Sequence, residues 1–240
     1  MIGLVLAAVL TFQTGAPSGL SLPPAPAPTL SPEARQLIAP VLDGITTEQA
    51  RQAALPPPAD INERFLRMYR LDQQTRAAAT DIDFTTLPPD QRQPAMAAMW
   101  TAIGAVDESN QKALLEMLPP EGWFYKSVYG DGPASTAFLI IQHSDVDLWR
   151  RFLPVLEPLV ATGEVEGQSY GLMYDRLAVA EGRPQRYGTQ MTCKGGKFVV
   201  DYDALEDPEH AEERRAAMGF HRTLKEYEAL FAGYPSCEED

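Results

Sequence analysis

Apolar positions along this chain recur mostly at helical spacing, in blocks separated by proline and glycine. Ser31-Pro32-Glu33 combines a capping serine with proline in a first turn, so residues 31–55 are expected to form one or two short helices. Pro56-Pro57-Pro58 stops them, because proline neither donates to nor fits inside the helical ladder. Asp60 caps a clearer helix that runs to about Thr80, with Ile61, Phe65, Met68, Leu71 and Gln74 on one face. A third helix starts at Leu87-Pro88-Pro89-Asp90 and carries Met96, Met99, Trp100, Ile103 and Val106, then Leu114, Leu115 and Leu118. Pro119-Pro120 ends it. Its Met and Trp stripe reads as core rather than a cofactor pocket, since flexible Met side chains fill irregular gaps.

Residues 122–133 read as a loop. Residues 134–143 are apolar nearly all round, which predicts a central buried helix, with a buried strand as the competing assignment. Ser144-Asp145 caps a helix over 146–161 in which Pro154 and Pro158 predict a kink or two shorter pieces. Another helix covers 167–180. The period then changes: residues 187–193 and 197–202 flank Lys194-Gly195-Gly196, a hairpin with glycines at its turn. Asp207-Pro208-Glu209 opens an acidic helix ending near Ala232. The expected fold is mainly α, a bundle-like single helical domain with one β-hairpin near the C-terminal third. Residues 33–99 form an N-terminal helical segment packing on a main domain of 100–232, followed by an acidic tail of 233–240.

The N-terminus changes the picture of compartment. The first ten residues are an apolar run followed by Thr11 to Ala16, so residues 1–16 read as a secretory leader, too short to span a bilayer. No Lys or Arg precedes the run and Pro17 follows Ala16 directly, which leaves the cleavage point, and retention as an anchor, open. An uncharged tail on a cytosolic protein is the alternative. Residues 17–32 are a proline-rich spacer that favours extended polyproline geometry. The expected location is therefore periplasmic or secreted, with no integral membrane span in the mature protein. Cys193 and Cys237 could pair in such a compartment, the alternative being two separate thiols.

Acidic residues outnumber basic ones 33 to 20, a net charge of −13. From Asp201 onward twelve acidic residues face four basic ones. Such a surface repels a phosphate backbone, which excludes nucleic acid as a partner and disfavours anionic membrane surfaces.

Three polar clusters interrupt apolar surroundings: Gln142-His143 with Asp145 and Asp147 beyond, Asp175-Arg176 within an apolar helix, and Gln185 to Gln190 before the hairpin. Burying such groups unpartnered costs about 1–3 kcal/mol each, so they must find each other or a ligand. This ordered series, with Gly122-Trp123 before it and Tyr187-Gly188-Thr189-Gln190 closing it, resembles the bacterial domain-of-unknown-function family 6624. Glu206-Asp207-Pro208-Glu209, Arg214-Arg215 and Leu224 to Tyr227 look like that family too. The resemblance covers roughly residues 100–231, with 31 to about 90 outside its clear reach. It implies a self-contained helical domain, often behind a leader, and carries no catalytic role to any residue.

The residues themselves allow two functions. One is a non-enzymatic exported module holding a small ligand or peptide in a polar pocket lined by Gln142, Gln185, Tyr187 and Gln190. The other is a hydrolase or lyase acting on a cell-envelope substrate, with His143 as general base, Asp175 orienting it and Arg176 stabilising an anion. The structural alternative is a buried network in which Asp175 pairs an arginine, the glutamines satisfy loop backbone and His143 caps a helix. No cofactor is expected. His143 and Asp147 have the four-residue spacing of two metal ligands on one helix face, but the cap at Ser144-Asp145 falls between them and a third ligand must be assumed. Nucleophile elbows, zincin pairs and phosphate-binding glycine loops are missing from the sequence.

Overall fold

The computed structural model describes residues 29–234 and 237. The expected leader and most of the proline-rich spacer lie outside the described residues. The chain divides into two compact units whose boundary falls between Asn110 and Gln111.

In the first unit, α1 (Pro32–Ala53) is one continuous helix with Pro40 inside it, capped by the Ser31 side chain accepting from the Ala34 amide. Its buried positions are Ala34, Ile38, Val41, Ile45 and Glu48, alternating steps of three and four that keep one stripe inward. The apolar part of that stripe packs with Leu87, Ala95, Met99, Ile103 and Val106, the last four from α3 (Pro89–Glu116). The stripe ends on a carboxylate. Glu48 is held by a two-pronged Arg51 at 2.6 Å and by Gln52, whose amide also donates to the Arg67 carbonyl of α2 (Ile61–Thr80).

Asp60 caps α2 by accepting from the Glu63 amide. The inward stripe of α2 is Phe65, Met68, Asp72 and Thr75; Gln74, expected on the apolar face, is exposed. A carboxylate here again sits in a core position. Arg76 donates to Asp72 at 2.8 Å and through its other nitrogen to both oxygens of Asp107 on α3, at 2.8 and 2.9 Å. Asn110 Nδ2 donates to the Met68 carbonyl. Side-chain polar groups thus join α1 to α2 and α2 to α3, which fixes helix register in a way that apolar packing alone does not.

The second unit contains a short turn of helix α4 (Lys126–Tyr129) inside the stretch expected to be all loop. Helix α5 (Asp131–Gln142) starts earlier than its apolar run, at Gly130 with φ 86°. It is a helix rather than a strand, buried nearly all round through Ala134, Thr136, Ala137, Phe138, Ile140 and Ile141. Helix α6 (Val146–Ala161) is capped by Asp145 accepting from the Leu148 amide and is one helix through Pro154 and Pro158 rather than two shorter pieces. Its inward face of Phe152, Leu153, Leu156 and Leu159 is continuous, and each such side chain contributes roughly 1.5–3 kcal/mol of burial, enough to offset the ladder bonds that proline removes. Helix α7 (Gly167–Ala180) follows.

The antiparallel hairpin of β1 (Thr192–Lys194) and β2 (Lys197–Val199) pairs Cys193 with Phe198 and turns at Gly195-Gly196, both at positive φ. It is shorter than expected, because residues 185–190 form a loop instead of a strand. The acidic C-terminal helix is also broken: a 3-10 turn at Pro208–His210 leads into α8 (Ala211–Ala217), and α9 (Leu224–Ala229) begins afresh. Gly219 at φ 74° ends the first piece, and a reciprocal capping box between Thr223 and Glu226 starts the second. Met191, Val200, Leu205, Ala211 and Leu224 form a small core here. Cys193 and Cys237 form a disulfide across a separation of 44 residues, worth about 4 kcal/mol of loop-closure entropy. Among the described residues no helix is long and apolar enough to cross a membrane.

Arg51 holds the Glu48 carboxyl down at about 2, from an ordinary 4.5, with Gln52 adding to the effect. A depressed folded-state value stabilises the fold above the unfolded value and loses that stabilisation as pH falls. We therefore expect Glu48 to contribute full stability above pH 4.5 and progressively less down to about 2. In Glu48→Gln, the slope of chemical-denaturation stability against pH over that window should flatten. An unchanged slope would show that this pair contributes nothing to acid sensitivity.

Candidate functional site

The sequence-predicted residues fall into two groups on different faces of α7. Asp175 and Arg176 are adjacent, so about 100° of helical rotation separates their side chains.

Asp175 is fully buried and turns toward residues 185–190. Its two oxygens accept the backbone amides of Arg186 at 2.7 Å, Tyr187 at 3.1 and 3.2 Å, and Thr189 at 2.9 Å. Desolvation pushes its pKa up and the amide donors pull the other way. The opposite pole of the loop is met by Arg215, 2 % exposed, which donates to the Tyr187 carbonyl at 2.7 Å and twice to the Arg222 carbonyl. Its guanidinium lies 4.4 Å from the Phe220 ring centre and 5.5 Å from that of Tyr227. Burial lowers its pKa, with Glu212 acting in the opposite sense from 3.9 Å. Tyr227 donates its hydroxyl to the Thr189 carbonyl.

Gln185 closes the loop on itself. Its Oε1 accepts the Gln190 amide and its Nε2 donates to the Gln190 carbonyl, each at 2.8 Å. Its backbone meanwhile bridges to the neighbouring segment, donating to the Ala204 carbonyl and accepting from the Glu206 amide. Tyr187 stacks on Phe220 and meets the Tyr174 edge. Gly171 permits that packing, since a Cβ there would lie 2.8 Å from the Phe220 ring. Gly188 at φ 63° lies where a Cβ would come 2.6 Å from Leu224 and 3.2 Å from Leu205. Ionising an isolated buried carboxylate costs several kcal/mol, and three charge-assisted amide bonds at about 1.5–3 kcal/mol each offset it. Asp175, Gln185, Tyr187 and Gln190 therefore serve the loop's own conformation.

The second group lies at the end of α5. His143 is the half-buried C-cap residue, and its carbonyl accepts from Gln111 Nε2. Arg176, half-buried, donates to the Gln142 carbonyl at 2.9 Å and lies 5.6 Å from the Trp149 ring centre. Trp149 Nε1 donates to the Ile141 carbonyl. Asp147 is away from this edge as a ligand: it belongs to α6, its side chain is 87 % exposed and it pairs with Arg150. The end of α5 at its C-cap His143 and the new start at Asp145 separate His143 from Asp147 on α6, as the cap at Asp145 implied.

Sequence reasoning missed Arg215 and Trp149. Arg215 had a signal: with Ala211 it occupies the i, i+4 pair that faces inward from α8, an arginine where the pattern asks for an apolar residue.

A family model described as a family of unknown function, DUF6624, matches residues 59–234. That is well over half of the chain. The chain belongs to DUF6624. The match begins some way before Trp100, so α2 and α3 are family elements and α1 precedes them. No curated protein and no solved structure matches the chain.

Replacing Asp175 by Asn keeps the shape but sets an amide donor against backbone donors. The expected cost is about 3 kcal/mol, read as a lower denaturation midpoint at unchanged m-value. Gly188→Ala should destabilise too, through its positive φ and its contact with Leu224. A neutral outcome for Asp175→Asn would mean that the amide bonds do not hold the loop.

Proposed function

We propose that this DUF6624 protein is an extracytoplasmic binding module that holds a small ligand or peptide at the edge formed by Gln142, His143, Trp149 and Arg176. One observation carries the preference for binding over catalysis: both oxygens of Asp175 are committed to loop amides. Asp175, the carboxylate expected to orient His143 as general base for a hydrolase or lyase, is thereby engaged by the loop instead. The chemistry of the edge suits recognition. Arg176 holds its guanidinium beside the Trp149 indole while donating to the Gln142 carbonyl, and a planar cation beside an indole is an arrangement that matches a ligand carboxylate. Gln185, Tyr187 and Gln190 act indirectly, in the loop that packs on the Asp175 face of α7, the helix that also carries Arg176. The Cys193–Cys237 disulfide fits an oxidising compartment, which agrees with a leader over residues 1–16 and a periplasmic or secreted location.

Thermal-shift measurements on the oxidised chain, with carboxylate-bearing small molecules and short acidic peptides, test this reading. A ligand at a hundred times its Kd stabilises by about 2.7 kcal/mol, a rise in Tm of several degrees. Arg176→Lys keeps the charge but loses the fork, and His143→Gln removes the imidazole; both should abolish the shift while retaining a cooperative transition. Turnover of an envelope substrate that disappears in His143→Gln would instead favour the enzyme.

A further inference from the structure

The disulfide encloses the elements that hold the 185–190 loop from outside. Between Cys193 and Cys237 lie Arg215, which takes the Tyr187 carbonyl, Tyr227, which takes the Thr189 carbonyl, and Leu205, whose segment pairs with Gln185. Four of the five residues in the small core beside the loop, Val200, Leu205, Ala211 and Leu224, also lie inside that span. That core is small, with Phe198, Tyr227 and Phe231 packed against it, so a covalent link supplies a sizeable share of the stability of the segment. The tail is fastened to the hairpin by the disulfide, by the Cys237 amide donating to the Gly196 carbonyl, and by Phe198 packing on Phe231 and Tyr234. Asp175, by contrast, comes from α7, which lies outside the span.

We propose that the Cys193–Cys237 disulfide is a redox-dependent clasp that completes the loop only in an oxidising compartment. In the reduced chain the segment between the two cysteines loosens, Arg215 and Tyr227 leave the loop carbonyls, and residues 185–190 open while α5–α7 stay folded. Closure is a thiol–disulfide exchange with a disulfide-donating partner: two cysteine thiols become one S–S bond, and the donor leaves as two thiols. Both cysteines are partly exposed, which admits a donor or a dithiol reductant. The timing, a chain whose loop is completed after export, rests on the extracytoplasmic reading above. The coupling itself does not, and it is measured without any ligand.

Hydrogen exchange on the full chain, oxidised and then reduced with a dithiol, tests the coupling. Reduction should accelerate exchange at the Arg186, Tyr187 and Thr189 amides by about 100-fold, with the Ile140 and Ile141 amides of α5 unchanged. The double variant Cys193→Ser with Cys237→Ser should match the reduced protein and be indifferent to the reductant. Loop amides that keep their protection on reduction overturn the proposal. So does an equal loss in α5, which would make the bridge a staple of the whole unit.

Discussion

A buried carboxylate and a buried guanidinium grip one short loop by its two kinds of backbone group. Asp175 takes the amides of residues 186, 187 and 189, and Arg215 and Tyr227 take the carbonyls of 187 and 189. The two charges do not pair directly; the peptide units between them carry the interaction. Removing both from water costs several kcal/mol apiece, and the cost is met only while the loop keeps this one conformation. Gly188 at positive φ, Gly171 beneath the Phe220 ring and the self-closing Gln185 follow from that constraint. So does the division of labour on α7, where Asp175 serves the loop and Arg176 donates to the Gln142 carbonyl beside Trp149.

The first unit applies the same logic more simply. Glu48 and Asp72 each occupy the place in an inward stripe where an apolar residue would sit, and each is met by an arginine one turn along, Arg51 and Arg76. Gln52 and Arg76 then reach a neighbouring helix, to the Arg67 carbonyl and to Asp107. A buried charge tolerates few geometries, so these positions specify alignment while the leucines, isoleucines and methionines supply the burial energy.

Much of the helical framework was legible because its signals are local. Ser31, Asp60 and Asp145 cap the helices they were expected to cap, and the glycines at 195 and 196 form the hairpin turn. The errors came where distant contacts decide. Residues 187–191 carry a strand-like pattern but are bent into a loop by Asp175, whose demand for amides is invisible to periodicity. The C-terminal helix is split because the capping box at Thr223 and the positive φ of Gly219 outweigh a continuous helical composition. Pro154 and Pro158 failed to divide α6 because its apolar face is tied down along its length.

For the candidate site the difference is sharper. The sequence alone identified the polar residues that interrupt apolar runs, the family resemblance and the cysteine pair, because unsatisfied polarity and thiols are properties of single positions. Which backbone groups each of those residues serves was decided by tertiary structure. The reason is that a side chain's oxygens and protons are finite. Asp175 was read as a partner for His143, but its lone pairs are taken by backbone donors from eleven to fourteen residues away. Hydrogen-bond capacity of that kind is assigned in three dimensions, by whichever donor the packed chain brings within 3 Å or so.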